Sequence, residues 1–143
     1  MGRRVKITLQ TMIDDHGQLE RHATSETGDF VRKGQLDVLT FDETLDSQIP
    51  PVRNMITIQK EKVNIKRSGP VTMNQQFLLH QHTENVYMHP HGSLHMETHT
   101  EKMHYHVNHS PFEGKLTIAY TVKLNGSEKR AHKLMLHFKE ENE

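Results

Sequence analysis

Cysteine is absent from this 143-residue chain, which excludes disulfides, thiol nucleophiles and cysteine-ligated zinc. An excess of charge of one sign is absent too. Eighteen basic residues balance eighteen acidic ones, so the electrostatic footprint of non-specific nucleic-acid or anionic-membrane binding is missing. No apolar run is long enough for a membrane-crossing helix, and the N-terminal Met-Gly-Arg-Arg-Val leads into an alternating pattern instead of an apolar signal region. These shortages set the expectation of a cytoplasmic protein with no nucleic-acid partner, no membrane partner and no cofactor. Apolar residues are also scarce, at 33% of the chain, so the core is lean beside that of an average globular domain. Leu, Ile, Val and Phe still make up about 23% of the residues, above the ~20% below which disorder is expected. The chain should fold, and its length suits a single domain over 1–143.

Catalytic signatures are equally thin. There is no nucleophile elbow and no phosphate-binding glycine loop. A triad built on Ser68 carries almost no information in a chain with thirteen histidines. Asp14-Asp15 reads as a turn pair, and Glu43, at the end of an apparent strand, as a solvated carboxylate. The expectation is a protein that is not an enzyme.

What is present is alternation. Val5, Ile7 and Leu9 interleave with Lys6, Thr8 and Gln10, the period of two expected of a strand with one buried face. The pattern returns at Leu36, Val38 with Thr40, at Ile56 and Ile58, at Val63 and Ile65, along Leu116, Ile118, Tyr120, Val122 and Leu124, and at Leu134, Leu136 and Phe138. Turn signals separate these runs at Asp15-His16-Gly17, Arg32-Lys33-Gly34, Lys60-Glu61-Lys62, His91-Gly92-Ser93, Glu113-Gly114 and Asn125-Gly126-Ser127. A short helix has room only near 42–53. Eight to ten strands joined by hairpins predict an all-β, antiparallel up-and-down barrel, since closure removes exposed edges; a two-sheet sandwich is the alternative.

Polar residues that share parity with the apolar set should point inward. Arg67 follows Val63 and Ile65, Gln75 lies between Met73 and Phe77, and Tyr105 precedes Val107. With Phe77, Met96 and Tyr120, they form the predicted lining of an interior that takes a small amphipathic or anionic ligand, with Arg67 as its polar anchor. The plainer alternatives are an Arg67 head reaching solvent at a strand end, and tyrosines that simply pack.

Nine of the thirteen histidines fall between positions 80 and 109. A two-residue hairpin at Glu101-Lys102 would set His99 opposite His104, and pairing 89 with 94 would bring Glu84 beside His99. Glu84, His99 and His104 would then form a two-histidine, one-carboxylate row. Parity puts this row on the outer surface, where metal binding competes with a simple polar face or an acid-responsive one. A protein-interaction or homodimer surface on the sheet is the other alternative to ligand binding.

The stretches IKRSGPVTMNQQF (65–77), TENVYMHPHGSLHMETHT (83–100) and GKLTIAYTVKLNG (114–126), with LTFDE (39–43), give the chain a further feature. Through Arg67, Gly69, Met73, Phe77, Pro90, Gly92, Ile118 and Tyr120 it resembles the YwiB-like family of uncharacterised small proteins from Gram-positive bacteria. The resemblance spans nearly the whole chain. It implies a lipocalin-like, calycin-type β-barrel and no known activity, and the histidine cluster departs from the family pattern.

Overall fold

Ten strands follow one another in the computed structural model, which describes residues 2–44 and 46–141. They are β1 (Gly2–Asp15), β2 (Gln18–Lys33), β3 (Leu36–Glu43), β4 (Val52–Gln59), β5 (Lys62–Ser68), β6 (Met73–Leu78), β7 (His82–His89), β8 (Gly92–His109), β9 (Phe112–Leu124) and β10 (Arg130–Glu140). Among the described residues none is helical, so the 42–53 segment holds strand ends and an irregular loop; Leu45 lies outside the described residues.

Every neighbouring pair in the sheet is antiparallel, and the order β6-β5-β4-β3-β2-β1-β10-β9-β8-β7 joins the first strand to the last. The two outermost strands, β6 and β7, meet again across a seam. Thr72 and Met88 exchange backbone hydrogen bonds of 2.9 and 2.7 Å, and the Thr83 hydroxyl donates to the Gln76 carbonyl at 2.6 Å. The sheet is therefore a nearly closed antiparallel barrel. Hairpin chemistry supports the meander at His16-Gly17 and Asn125-Gly126, where both central residues have positive φ, as turns compatible with strand twist require.

Three local expectations need correction. The alternation in β3 is out of phase by one: Asp37, Leu39 and Phe41 are buried, whereas Leu36, Val38 and Thr40 are only partly so. Gly114 is not a turn residue, because the turn falls at Ser110-Pro111. Gly114 lies inside β9, directly opposite Phe138, whose ring occupies the space a Cβ would need, with Cζ only 2.1 Å from that point. No hairpin forms at Glu101-Lys102 either; β8 runs through as a single strand with a bulge between Thr100 and Lys102. The bulge switches the inward parity from Met96, Thr98 and Thr100 to Met103, Tyr105 and Val107. At that point β8 is held by the β6–β7 connection, through bonds from His80 N to Thr100 O (2.8 Å) and from Thr100 N to Gln81 O (3.2 Å).

The inward side chains fill the barrel. Phe77, Leu116, Ile118, Leu136 and Phe138 are fully buried. Phe30 packs edge-on against Phe112 at 4.9 Å and stacks on Phe138 at 5.3 Å. Burial of side chains of this size contributes ~1.5–3 kcal/mol each.

Candidate functional site: a polar cleft at one end of the barrel

All six residues expected inside do face inward by register, but they do not line one chamber. Phe77 and Tyr120 are core residues, in edge-to-face contact at 4.8 Å. Gln75 is buried and donates to the Thr98 hydroxyl at 3.0 Å, so its polarity is satisfied inside the protein. Met96 is half-buried, with its sulfur 3.9 Å from the Asn85 amide. Arg67 has an internal partner: its Nη2 donates to Glu43 Oε1 at 3.0 Å and its Nη1 to the Tyr87 hydroxyl at 3.4 Å. Both charged side chains are largely shielded, at 19% and 21% exposure. Glu43 is thus inward and paired, not solvated, and it neutralises the guanidinium expected to anchor an anion.

Tyr105 belongs to a different group at the opposite end of β3, where Asp37 stands six residues, or ~20 Å of strand, from Glu43. Asp37 shares parity with Leu39 and Phe41, and its side chain is 6% exposed. Arg32, in register with Phe30 on β2 but exposed at the barrel mouth, grips it in a fork, Nε to Oδ1 at 2.6 Å and Nη2 to Oδ2 at 2.9 Å. Across the barrel mouth the Tyr105 hydroxyl donates to Oδ2 at 2.7 Å. Burial pushes the Asp37 carboxyl up, but hydrogen bonds from Arg32 and Tyr105 outweigh it and hold the group below its ordinary value. Tyr105 is raised well above an ordinary phenol by burial and by the carboxylate it serves, so it stays a donor.

A cleft of about 570 Å³ opens beside this group, between the β2–β3 and β4–β5 hairpins and the second half of β8. It exists because β7 pairs only with the first half of β8, as far as His99, and leaves Thr100–His109 to run on past it. Ile58, Leu79 and Met103 give the cleft apolar surface; Arg32, Gln35, Asp37, Gln59, Lys60 and Tyr105 give it polar groups. Of the six expected ligand residues, Tyr105 alone is among its lining. Sequence reasoning missed Asp37 and Arg32, although the spacing Asp37, Leu39, Phe41, Glu43 carries the signal once the phase of β3 is read correctly. It also passed over His132, which faces inward in register with Leu134 and Leu136.

The expected row of Glu84, His99 and His104 does not form. The β7–β8 turn is the two residues Pro90-His91, so Glu84 pairs with Glu97, and His99 with His82. His99 and His104 lie five residues apart on one strand, ~16 Å by strand rise; both are exposed on the outer face.

Fold and site together define a ten-stranded antiparallel meander barrel with a packed middle and a polar group near each end. Residues 7–136 match the family described as "Domain of unknown function (DUF1934)", and the chain belongs to that family. It is 25% identical over 134 residues to the "Uncharacterized beta-barrel protein YwiB" of Bacillus subtilis (strain 168), covering 94% of this chain and 92% of the relative. The crystal structure of the ywiB protein from Bacillus subtilis superposes with a TM-score of 0.84 at 22% identity, over 99% of this chain and 94% of that one. At that identity the likeness shows the shared barrel.

Proposed function

We propose that this protein is a non-enzymatic binding barrel that takes a small amphipathic molecule in the cleft beside Asp37. The observation that carries the reading is the pairing of a concave space of about 570 Å³ with apolar walls at Ile58, Leu79 and Met103 and a fixed polar group at Arg32, Asp37 and Tyr105. An apolar wall facing a few convergent, fixed polar groups suits a small amphipathic molecule, whose apolar part meets the wall while its polar part is oriented by the groups opposite. Binding is favoured over catalysis because the Asp37 carboxylate already accepts from two side chains, which leaves it poorly suited to act as a general base. The lipocalin-like reading is retained in modified form: the ligand sits at the mouth of the barrel, since Phe77 and Tyr120 fill its middle, and Arg67 is committed to Glu43.

The test is titration of 15N-labelled protein with the amphipathic dye anilinonaphthalene sulfonate. Saturable binding is expected, with amide shifts concentrated at Gly34, Lys60 and Met103–Tyr105, and Met103→Asp should weaken it by at least about tenfold by placing a charge of the same sign as the sulfonate in the apolar wall. Unsaturable binding, or shifts centred elsewhere, would refute the reading.

A second reading, association through the sheet surface, draws on Val86 and Met88, about half exposed on the outer side of β7 beside the seam. Sedimentation velocity over a wide concentration range tests it, and a strict monomer throughout removes it.

A further inference from the structure

The outer face of the β7–β8 hairpin carries a cluster that does not depend on the cleft. Register sets three cross-strand pairs side by side there: His82 opposite His99, Glu84 opposite Glu97, and Val86 opposite His95. Two carboxylates directly opposed on one sheet face repel each other. Part of that repulsion is met locally, because His95 Nε2 lies 2.8 Å from Glu84 Oε1 and Lys123 is the β9 partner of Glu97. The remaining oxygens converge on His82. Its Nε2 is 3.8 Å from Glu84 Oε2 and 3.7 Å from Glu97 Oε1, too far for a hydrogen bond to either. One ligand atom from each of the three residues lies within 4.8 Å of the others. Bonds of ~2.1 Å in tetrahedral geometry separate ligand atoms by ~3.4 Å, so small side-chain movements would bring these atoms to the edges of one coordination shell.

We infer that His82, Glu84 and Glu97 form a binding site for a divalent first-row transition ion, for which Zn²⁺ is the fitting probe. Imidazole nitrogen and carboxylate oxygen are both zinc ligands, and three protein donors leave the fourth position of a tetrahedral shell to water. Both strands lie in a continuous ladder, so the backbone beneath the ligands is fixed. His95 is a positioning residue, orienting the Glu84 carboxylate from the side away from His82. A shallow recess of about 340 Å³ adjoins the cluster, bounded by His82, Glu97, His99 and Lys129, and it leaves room for water or the His99 ring to complete the shell. Lys123, the β9 partner of Glu97, and Lys129 in the adjoining recess are the nearby cations that would compete with the ion. The site differs from the row expected from sequence because the turn is two residues shorter than assumed, which exchanges His99 for Glu97 opposite Glu84.

With thirteen histidines in the chain, weak zinc uptake alone decides nothing, so the test compares sites. Untagged full-length protein, purified without metal affinity resin, is titrated with Zn²⁺ in competition with a chromophoric chelator. Parallel titrations use His82→Ala, Glu97→Gln, and a control carrying His104→Ala and His106→Ala on the same outer face. One tightest zinc per chain is expected. Its affinity should fall by at least about tenfold in His82→Ala and in Glu97→Gln, as even loss of an outer-shell partner typically costs 10–100-fold, and should hold in the control. Circular dichroism checks that each variant folds. Should either fail to fold, Co²⁺-induced broadening in the 15N spectrum of the unaltered protein locates the ion, and only effects centred on 82–84 and 95–99 support the site. Equal losses in all variants, no saturable site, or broadening centred elsewhere would overturn it.

Discussion

Acid should weaken this fold through one inward-facing histidine. His132 faces inward on β10, opposite Ile13 on one side and Tyr120 on the other, with its ring 5.2 Å from the Tyr120 ring. Burial lowers its pKa to about 4, and Arg130, two residues away, adds to the effect. Glu128 is a nearby carboxylate and bounds the same recess. An unfolded chain binds a proton here near pH 6.5, so between about 6.5 and 4 the unfolded state holds more protons than the native state, and stability falls as pH falls across that window. A shift of that size corresponds to ~3 kcal/mol at most. Because the ring is only partly buried, water screens the penalty, and we expect about 2 kcal/mol between pH 7.5 and pH 4.5. The perturbation is His132→Gln, which keeps a neutral polar side chain and removes the titration. Urea unfolding at the two pH values gives the wild-type-minus-variant difference, and wild type should lose about 2 kcal/mol relative to the variant on acidification. The imidazole resonance of His132 should meanwhile stay in its neutral form down to about pH 4. A difference that does not change with pH, or a His132 titration near 6.5, would refute the reasoning.

Two further predictions concern the packed middle and the cleft. Gly114→Ala should cost about 2 to 3 kcal/mol by overpacking, because the new methyl meets the Phe138 ring and that ring is held by Phe30 and Phe112; Gly2→Ala, with no atom nearer than 3.7 Å, should move thermal stability little, and equal melting temperatures for the two variants would contradict this account. Asp37→Asn should cost about 2 to 3 kcal/mol and Tyr105→Phe about 1 to 2, the first reduced because Arg32 can turn to solvent. In a double-mutant cycle their coupling should exceed about 1 kcal/mol at neutral pH and fade only as pH drops through the lowered pKa of Asp37, and additivity would argue against a shared hydrogen bond.

The fold was legible because alternation and turn chemistry agree along most of the chain. Leu116 to Leu124 and Leu134 to Phe138 show their inward parity without ambiguity, and the buried pattern of β9 and β10 follows it. The site was much less legible, for two physical reasons. In β3 both faces carry apolar residues, so Leu36 and Val38 mask the buried set Asp37, Leu39 and Phe41, and nothing in the pattern singles out the carboxylate at the cleft. In the histidine-rich region, register depends on turn length, and no pattern of apolar residues marks whether 101–102 is a turn or a bulge. Parity suffices to put His99 and His104 on the outer face, but their neighbours depend on turn length and the bulge. Interior parity at Arg67 and Gln75 was also right, but parity gives a direction and not a partner; Glu43 and Thr98 came from strands distant in sequence.

Where the polar groups stand also constrains where a ligand can sit. A hydroxyl or amide left unpaired in the middle of this barrel costs ~1–3 kcal/mol, and Thr100, buried with its hydroxyl unpartnered, already bears that cost. Gln75 and Thr98 avoid it by pairing with each other, and a ligand inserted between them would have to replace the bond and displace fully buried aromatic rings as well. At the end near Asp37 neither cost applies, because β7 stops short of the second half of β8 and the cleft is already open. The short strands that leave the seam between β6 and β7 thus also leave the one end of β8 uncovered, and binding there requires no opening of the core. Substitutions in the packed middle should therefore change stability while leaving affinity at the cleft intact, whereas substitutions at Met103 should do the reverse.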